Sequence, residues 1–203
     1  MKTKLLLLTL TAFCTGALFA AEMPEVGAPA PGFTLSAADG KSHSLGDFKG
    51  KYVVLEWFNP GCPFVKKHYE SKNMQELQKQ FTGKGVVWLT IDSSAAGEQG
   101  YLTPETAQKQ MADWKIGSTA LLLDPNGEVG HDYHATNTPH MFVINPEGNL
   151  IYEGAIDSKA SANPADIQGS TNYVKVALDE AMAGKAVSNA KTKAYGCSVK
   201  YAN

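Results

Sequence analysis

Three kinds of side chain in this sequence have the chemistry to work at neutral pH without a cofactor: cysteine thiols, a carboxylate set in an apolar strand, and histidine. Cys62 follows Asn59-Pro60-Gly61 at the end of the run YVVLEWF and precedes Pro63, which places it where a helix should begin. Free N–H groups and the helix dipole favour negative charge there. Such a position lowers a thiol pKa from about 8.5 and raises the fraction of reactive thiolate. The alternative is an inert cysteine that fills the core. Cys197 lies near the C-terminus in YGCSVKY, a glycine before it and tyrosines to either side. Glu56 sits inside the apolar run, where an unpaired carboxylate is costly and desolvation raises its pKa, which suits a general acid or base. Strand alternation could instead turn it to solvent or to Lys51. His140 directly follows Pro139 and is read either as a thiolate-stabilising neighbour or as a surface histidine.

These residues need elements to hold them. Tyr52–Phe58 reads as a strand, β-branched and aromatic and bounded by Gly50 and by Asn59-Pro60-Gly61. A helix is expected from Cys62 or Pro63 through FVKKHY, restarting at Asn73 with Glu76 as a capping-box partner and stopping at Gly83. Val86–Ile91 is nearly all apolar and so reads as a strand buried on both faces. Thr103-Pro104-Glu105 opens a helix that runs to about Lys115. ALLLD is a short strand, EVGHDYH a short helix, and MFVIN-PEGN-LIYEGAI a β-hairpin. Asn172–Gly184 is a helix with Val174, Ala177, Leu178 and Ala181 along one face. The remainder, KAVSNAKTKAYGCSVKYAN, is polar and reads as loop. Alternating strands and helices of this kind imply an α/β sheet covered on both faces.

The start of the chain is different in kind. Lys2 and Lys4, the apolar run LLLLTLTAFCTGALFA and then Ala21-Glu22 have the layout of a secretory signal over residues 1–21. The run is shorter than the roughly 20 residues that span a bilayer. Phe13 before Cys14 argues against a lipid anchor, so no stable membrane anchor is expected. The mature protein is expected to be exported, periplasmic or extracellular, with a domain over 22–184 and a tail over 185–203. Removing Lys2 and Lys4 takes the formal charge from −2 to −4. All basic charge is lysine, with none of the concentrated basic face that nucleic-acid binding requires. Lys66, Lys67 and Lys72 read as a solvated helix surface. Cys14 leaves with the signal, and two cysteines remain in an oxidising compartment, which invites a disulfide, static or cycling.

YVVLEWFNPGCPFVKKHY resembles the active-site segment of thioredoxin-like proteins, in which a strand runs into C-x-x-C at a helix start. Glu56 stands six residues before Cys62, the spacing of thioredoxin's buried strand acid. Thr138-Pro139 leading into MFVI is similar to the cis-proline loop of that fold. GAPAPGFTL with the following DG and LGDFKGK resembles the start of the redoxin or AhpC/TSA branch, and ALLLDPNGEVGHDYH and TPHMFVINPEGNLIYEGAID match exported thioredoxin-like reductases in order and spacing. The resemblance covers roughly Gly27 to Gly184. It implies a thioredoxin-like α/β fold with a central mixed sheet flanked by helices, and thiol–disulfide oxidoreductase activity with Cys62 as nucleophile.

The pattern breaks at position 65, where a second cysteine would stand and Val65 is found. Release from a mixed disulfide needs another thiol, and Cys197 is the candidate in the mature chain. Thirteen steps separate it from Gly184, up to about 40 Å of extended chain, against a radius of gyration near 16 Å for a domain of about this size. The tail therefore reaches the site; a static staple is the other reading. Glu56 is then expected to move protons for the thiols, and Thr138, Pro139 and His140 to line the substrate groove. The expected partners are a disulfide-bearing protein, or a small thiol or peroxide substrate, and an external thiol reductant, with no cofactor. A thiol peroxidase is the alternative, though Leu55 and Asn59 fill the proline and threonine positions of the peroxiredoxin motif and arginine is absent. A noncatalytic thioredoxin-fold binding module is another. A copper-carrying module would want a cysteine where Lys66 stands, leaving only His68, His131 and His134 as ligand candidates.

Overall fold

The computed structural model describes residues 24–202. The signal reading of residues 1–21, and Cys14 with it, lies outside them. A first hairpin, β1 (Thr34–Ala37) and β2 (Ser42–Ser44), leads to the central strand β3 (Val53–Trp57). Helices α1 (Pro63–Glu70) and α2 (Asn73–Thr82) follow, then β4 (Val87–Asp92), α3 (Pro104–Trp114), β5 (Ala120–Leu123) and the short α4 (Glu128–Asp132). The two-residue β6 (Asn137–Thr138), the hairpin β7 (His140–Ile144) and β8 (Leu150–Gly154), α5 (Tyr173–Met182) and β9 (Cys197–Ser198) complete the chain.

Seven strands form one mixed sheet in the order β2-β1-β5-β4-β3-β7-β8. β3 runs parallel to β4, and β4 to β5, while β7 is antiparallel to β3 and to β8. Period-two alternation assigns the side chains of β3 to two cores. Val54 and Phe58 join the face covered by α1, α2, α3 and α5, with Val65, Tyr69, Leu77, Phe81, Ala107 and Leu178. Val53, Leu55 and Trp57 join the face beneath α4, with Val129, Tyr133 and Phe142. The aromatics Trp57, Phe58, Trp88 and Tyr133 are buried in these cores.

Three local expectations change. α2 begins after Lys72, which takes a left-handed conformation (φ 65°) and makes no side-chain cap bond. The Asn73 amide does not cap the helix but reaches His68 Nδ1 at 2.8 Å. Lys67 is not on the solvated surface: it is buried, because its ammonium turns inward to the Asp157 carboxylate at 3.4 Å. The C-terminal segment is not loose loop. β9 pairs antiparallel with β6, Thr138 opposite Cys197, in a second small sheet.

Candidate active site

The turn Asn59-Pro60-Gly61 delivers Cys62 to α1. The Asn59 side-chain oxygen accepts from the Gly61 N–H at 2.8 Å, and the Asn59 carbonyl accepts from the Cys62 N–H at 3.1 Å. The Asn59 amide nitrogen donates to the Gln99 carbonyl at 2.8 Å, fixing the loop after β4 over the turn. A Cβ at Gly61 would overlap the end of the Gln99 side chain, which packs directly on the turn. Cys62 occupies the N-cap position with extended backbone, followed by Pro63 in the first turn. None of its surface is exposed.

Thr138 joins the two cysteines. Its carbonyl accepts from the Cys62 thiol at 3.1 Å, while its backbone pairs with Cys197 across the β6–β9 ladder. The Thr138–Pro139 bond is cis. The Thr138 hydroxyl is buried without a hydrogen-bond partner, leaving a donor free beside the sulfur. Both cysteines are free thiols. Burial pushes the Cys62 thiol up, but stabilisation of its thiolate form by the Cys197 thiol, by the otherwise unpartnered Thr138 hydroxyl and by the Cys197 and Val65 backbone outweighs it and holds its pKa below the ordinary value. Cys197 shifts the other way: burial, and the bond and charge it shares with Cys62, push it up to about 11. The pair is thus unequal: Cys62 is the more acidic thiol and the readier source of thiolate, and Cys197 is the less acidic partner placed to donate to it.

Glu56 is buried between Val54 and Phe58, and not turned to solvent or to Lys51. Its carboxylate accepts from Tyr69 Oη at 2.7 Å, Trp88 Nε1 at 2.8 Å, Gln78 Nε2 at 3.1 Å and Thr90 Oγ1 at 3.3 Å. The register explains the set. Thr90 is the β4 partner of Glu56, and Trp88 lies two residues away on the same face. Burial raises the Glu56 pKa despite the four donors. Its partners tie α1, α2 and β4 together, and neither thiol is among them.

His140 is a correction. Alternation along β7 puts it on the α4 face, opposite the thiol, its ring tilted against Phe142 with centroids 4.5 Å apart and accepting from the Thr136 N–H at 3.3 Å. Burial holds its pKa down near 4, so it is neutral and stabilises no thiolate. His131 is an exposed stacking partner of Tyr201, and His68 is buried beside Asp157. Among the described residues no three His, Cys, Asp or Glu side chains converge as a metal ligand set.

One cluster goes beyond the expected set. Asp157 is buried and accepts from Tyr195 Oη at 2.5 Å, Lys67 Nζ at 3.4 Å and the Lys159 N–H at 2.9 Å. Tyr195 packs edge-on against Phe64. The tail is thereby fastened to α1 two residues before Cys197. The aromatic residue near the second cysteine was the one visible signal; its acceptor, 38 positions earlier in the chain, left none.

A family model for the AhpC/TSA family matches residues 26–153. The chain belongs to the AhpC/TSA family. The chain is similar to the thiol-disulfide oxidoreductase ResA of Bacillus thuringiensis, 29% identical over 132 residues, or 65% of this chain and 70% of ResA. Among solved structures, an uncharacterized conserved protein from Geobacillus kaustophilus superposes with a TM-score of 0.78 at 26% identity, covering 89% of this chain and 94% of its own. The thioredoxin domain of a thiol-disulfide oxidoreductase from Bacteroides vulgatus gives a TM-score of 0.52 at 23% identity, covering 71% and 96%. The AhpC/TSA chain described here therefore has the thioredoxin-like fold, a mixed sheet between helical layers.

Proposed function

We propose that this protein is a thiol–disulfide oxidoreductase in which Cys62 attacks and Cys197 resolves. The observation that carries the reading is the meeting of both cysteines on one residue: the Cys62 sulfur contacts the Thr138 carbonyl, and Cys197 is the ladder partner of Thr138. The Cys62 thiolate attacks a disulfide of a partner protein, forming a mixed disulfide and releasing one substrate thiolate, which takes up a proton. Cys197 then gives up its proton and attacks the Cys62 sulfur. An intramolecular disulfide forms, and the second substrate thiol leaves. Two electrons pass to the substrate, and an external dithiol returns the protein to its reduced form. Thr138 and Pro139 shape the edge that receives the substrate backbone, and Glu56, with its raised pKa, serves as the buried proton acceptor and donor for the second step.

Export belongs to the same proposal and rests on Lys2, Lys4 and the apolar run before Ala21. Among the described residues no helix is long and apolar enough to cross a membrane. The peroxidase alternative gains nothing from Asn59, whose amide is engaged by Gly61, Ser94 and Gln99. The test is a pair of variants assayed with a disulfide-bearing protein. Cys62→Ser abolishes turnover, and Cys197→Ser accumulates a mixed disulfide with the substrate that nonreducing electrophoresis resolves. Full turnover by Cys197→Ser would show that the tail does not resolve.

A further inference from the structure

A nucleophile with no exposed surface cannot meet a substrate sulfur until something moves. The element lying over Cys62 is β9. It occupies the backbone edge of Thr138, and Gly196 beside it is fitted so closely that a Cβ would overlap the Thr138 carbonyl oxygen. The Asn137 side chain also holds the Gly196 carbonyl at 3.0 Å. The two ends of this segment are fastened unequally. Tyr195 is bound to a buried carboxylate and packed on Phe64, with the Lys67 ammonium 5.8 Å from its ring. At the far end the Val199 N–H donates to the Thr136 carbonyl at 3.1 Å, and the Lys200 carbonyl accepts from the Ala95 N–H at 2.8 Å. Tyr201 donates to the Ala135 carbonyl at 2.7 Å and stacks on exposed His131, in a notch that Gly127 and Gly130 leave open. Every one of these hydrogen-bond partners is neutral. A hydrogen bond to a charged group is roughly twice as strong as a neutral one. The Tyr201 end therefore releases first.

We propose that β9 is a tethered occupant of the substrate groove, and that the substrates are extended peptide segments bearing a disulfide, which displace β9 by strand exchange while Tyr195 stays fixed as its pivot. The proposal rests on the reading that Cys62 attacks a disulfide lying along the Thr138 edge. It adds how that edge becomes free and what fits it: a strand that replaces the lost ladder bonds. A small disulfide has no such strand and meets a filled groove. The pivot keeps Cys197 two residues from its anchor while substrate is bound, at high effective concentration for its return. When β9 re-pairs with β6, Cys197 reaches the Cys62 sulfur, the new intramolecular bond forms as the mixed disulfide breaks, and the reduced substrate strand loses its place on Thr138 in the same movement. Resolution and product release are one event. Tyr195 is on this account a positioning residue.

The experiment uses the full reduced protein. The rate at which iodoacetamide modifies Cys62 is measured as a function of pH, with the site assigned by peptide mass. The plateau rate reports access, and the midpoint reports ionisation. Tyr201→Ala and Gly196→Ala each raise the plateau about tenfold or more, the loss expected when a bond or a ladder contact holding a closed state is removed. Equal plateau rates in the wild type and both variants overturn the proposal. Tyr195→Phe, challenged with a peptide disulfide, prolongs the mixed disulfide about tenfold, because the returning thiol has lost its pivot. An unchanged lifetime overturns the pivot. Hydroxyethyl disulfide serves as the strandless probe: its reduction by Tyr201→Ala speeds up relative to that of the peptide disulfide. A constant ratio overturns strand exchange. Turnover surviving in Cys62→Ser would instead remove the underlying reading, whatever the alkylation rates.

Discussion

Replacing Asp157 by asparagine keeps the shape of the side chain and removes one charge. Lys67 Nζ would then be left buried with a neutral amide at 3.4 Å and the Lys159 carbonyl at 3.1 Å, and no carboxylate among the described residues within salt-bridge distance. Removing one partner from a buried ion pair costs about 3–5 kcal/mol, because the remaining charge is out of water and uncompensated. At roughly 2–4 °C per kcal/mol for a chain of this size, the Tm should fall by about 6–20 °C. The companion is Lys67→Met with Asp157→Asn, in which the asparagine oxygen still accepts from Tyr195 and Lys159 while no charge is stranded. That double variant should unfold within about 1.5 kcal/mol of the wild type, giving a coupling energy of about 2 kcal/mol or more. Urea unfolding of the reduced proteins, followed by tryptophan fluorescence, supplies the three differences. A loss below about 1 kcal/mol for Asp157→Asn, or a double variant as costly as the two single ones added, would refute the claim that this pair is desolvated and mutually dependent.

Glu56→Gln should slow the second step, release of the mixed disulfide, by about 100-fold while leaving the plateau alkylation rate of Cys62 unchanged; rapid mixing with a peptide disulfide separates the steps, and equal resolution rates would remove Glu56 from proton transfer. The pH–rate profile for Cys62 alkylation should have its midpoint below that of an ordinary thiol, since hydrogen bonding outweighs burial there, and Thr138→Val should move it upward by removing a donor. Burial pushes the Asp92 carboxyl from 3.8 up to about 7, so the folded state keeps a proton that the unfolded chain has released, and this group's contribution to stability falls as pH rises through that interval. His140, held from 6.5 down to about 4 by burial, has the opposite sign: its contribution is lost as pH falls from 6.5 toward 4. In urea midpoints taken between pH 4 and 7, Asp92→Asn should therefore steepen the rise of stability with pH, and His140→Gln should flatten it.

Much of this was legible in the residues because local rules agreed with the fold. YVVLEWF read as a strand from its β-branched and aromatic residues, and the turn after it left Cys62 at a helix start, where Pro63 takes the first helical position. Glu56 stood out by its place in an apolar run and its spacing from Cys62, with a solvent-facing reading still open; its four donors come from α1, α2 and β4, and only the pairing of β3 with β4 brings Trp88 and Thr90 beside it. His140 was misplaced by a single step of alternation, which in a strand means the opposite face of the sheet. Lys67 misled for a related reason: a lysine in a polar helix reads as solvated unless its partner is known, and Asp157 is distant in sequence. The tail was polar enough to pass for loop because a two-residue strand has no pattern to detect. Its docking was hinted at only by the tyrosines flanking Cys197.

β8 ends the seven-stranded sheet on one side, and its outer rim is not bare. The Glu153 N–H donates to the Ala190 carbonyl at 3.0 Å, the Thr192 N–H returns to the Glu153 carbonyl at 3.0 Å, and the Thr192 hydroxyl accepts from the Ala155 N–H at 2.9 Å. Gly154 lets this stretch approach, since a Cβ there would strike Thr192. An uncovered rim of this kind is a template on which other chains assemble. The segment that carries the second thiol thus also insulates the sheet. A truncation before residue 190, made to remove Cys197, would produce a molecule prone to self-association, and its inactivity would confuse two losses that Cys197→Ser keeps apart.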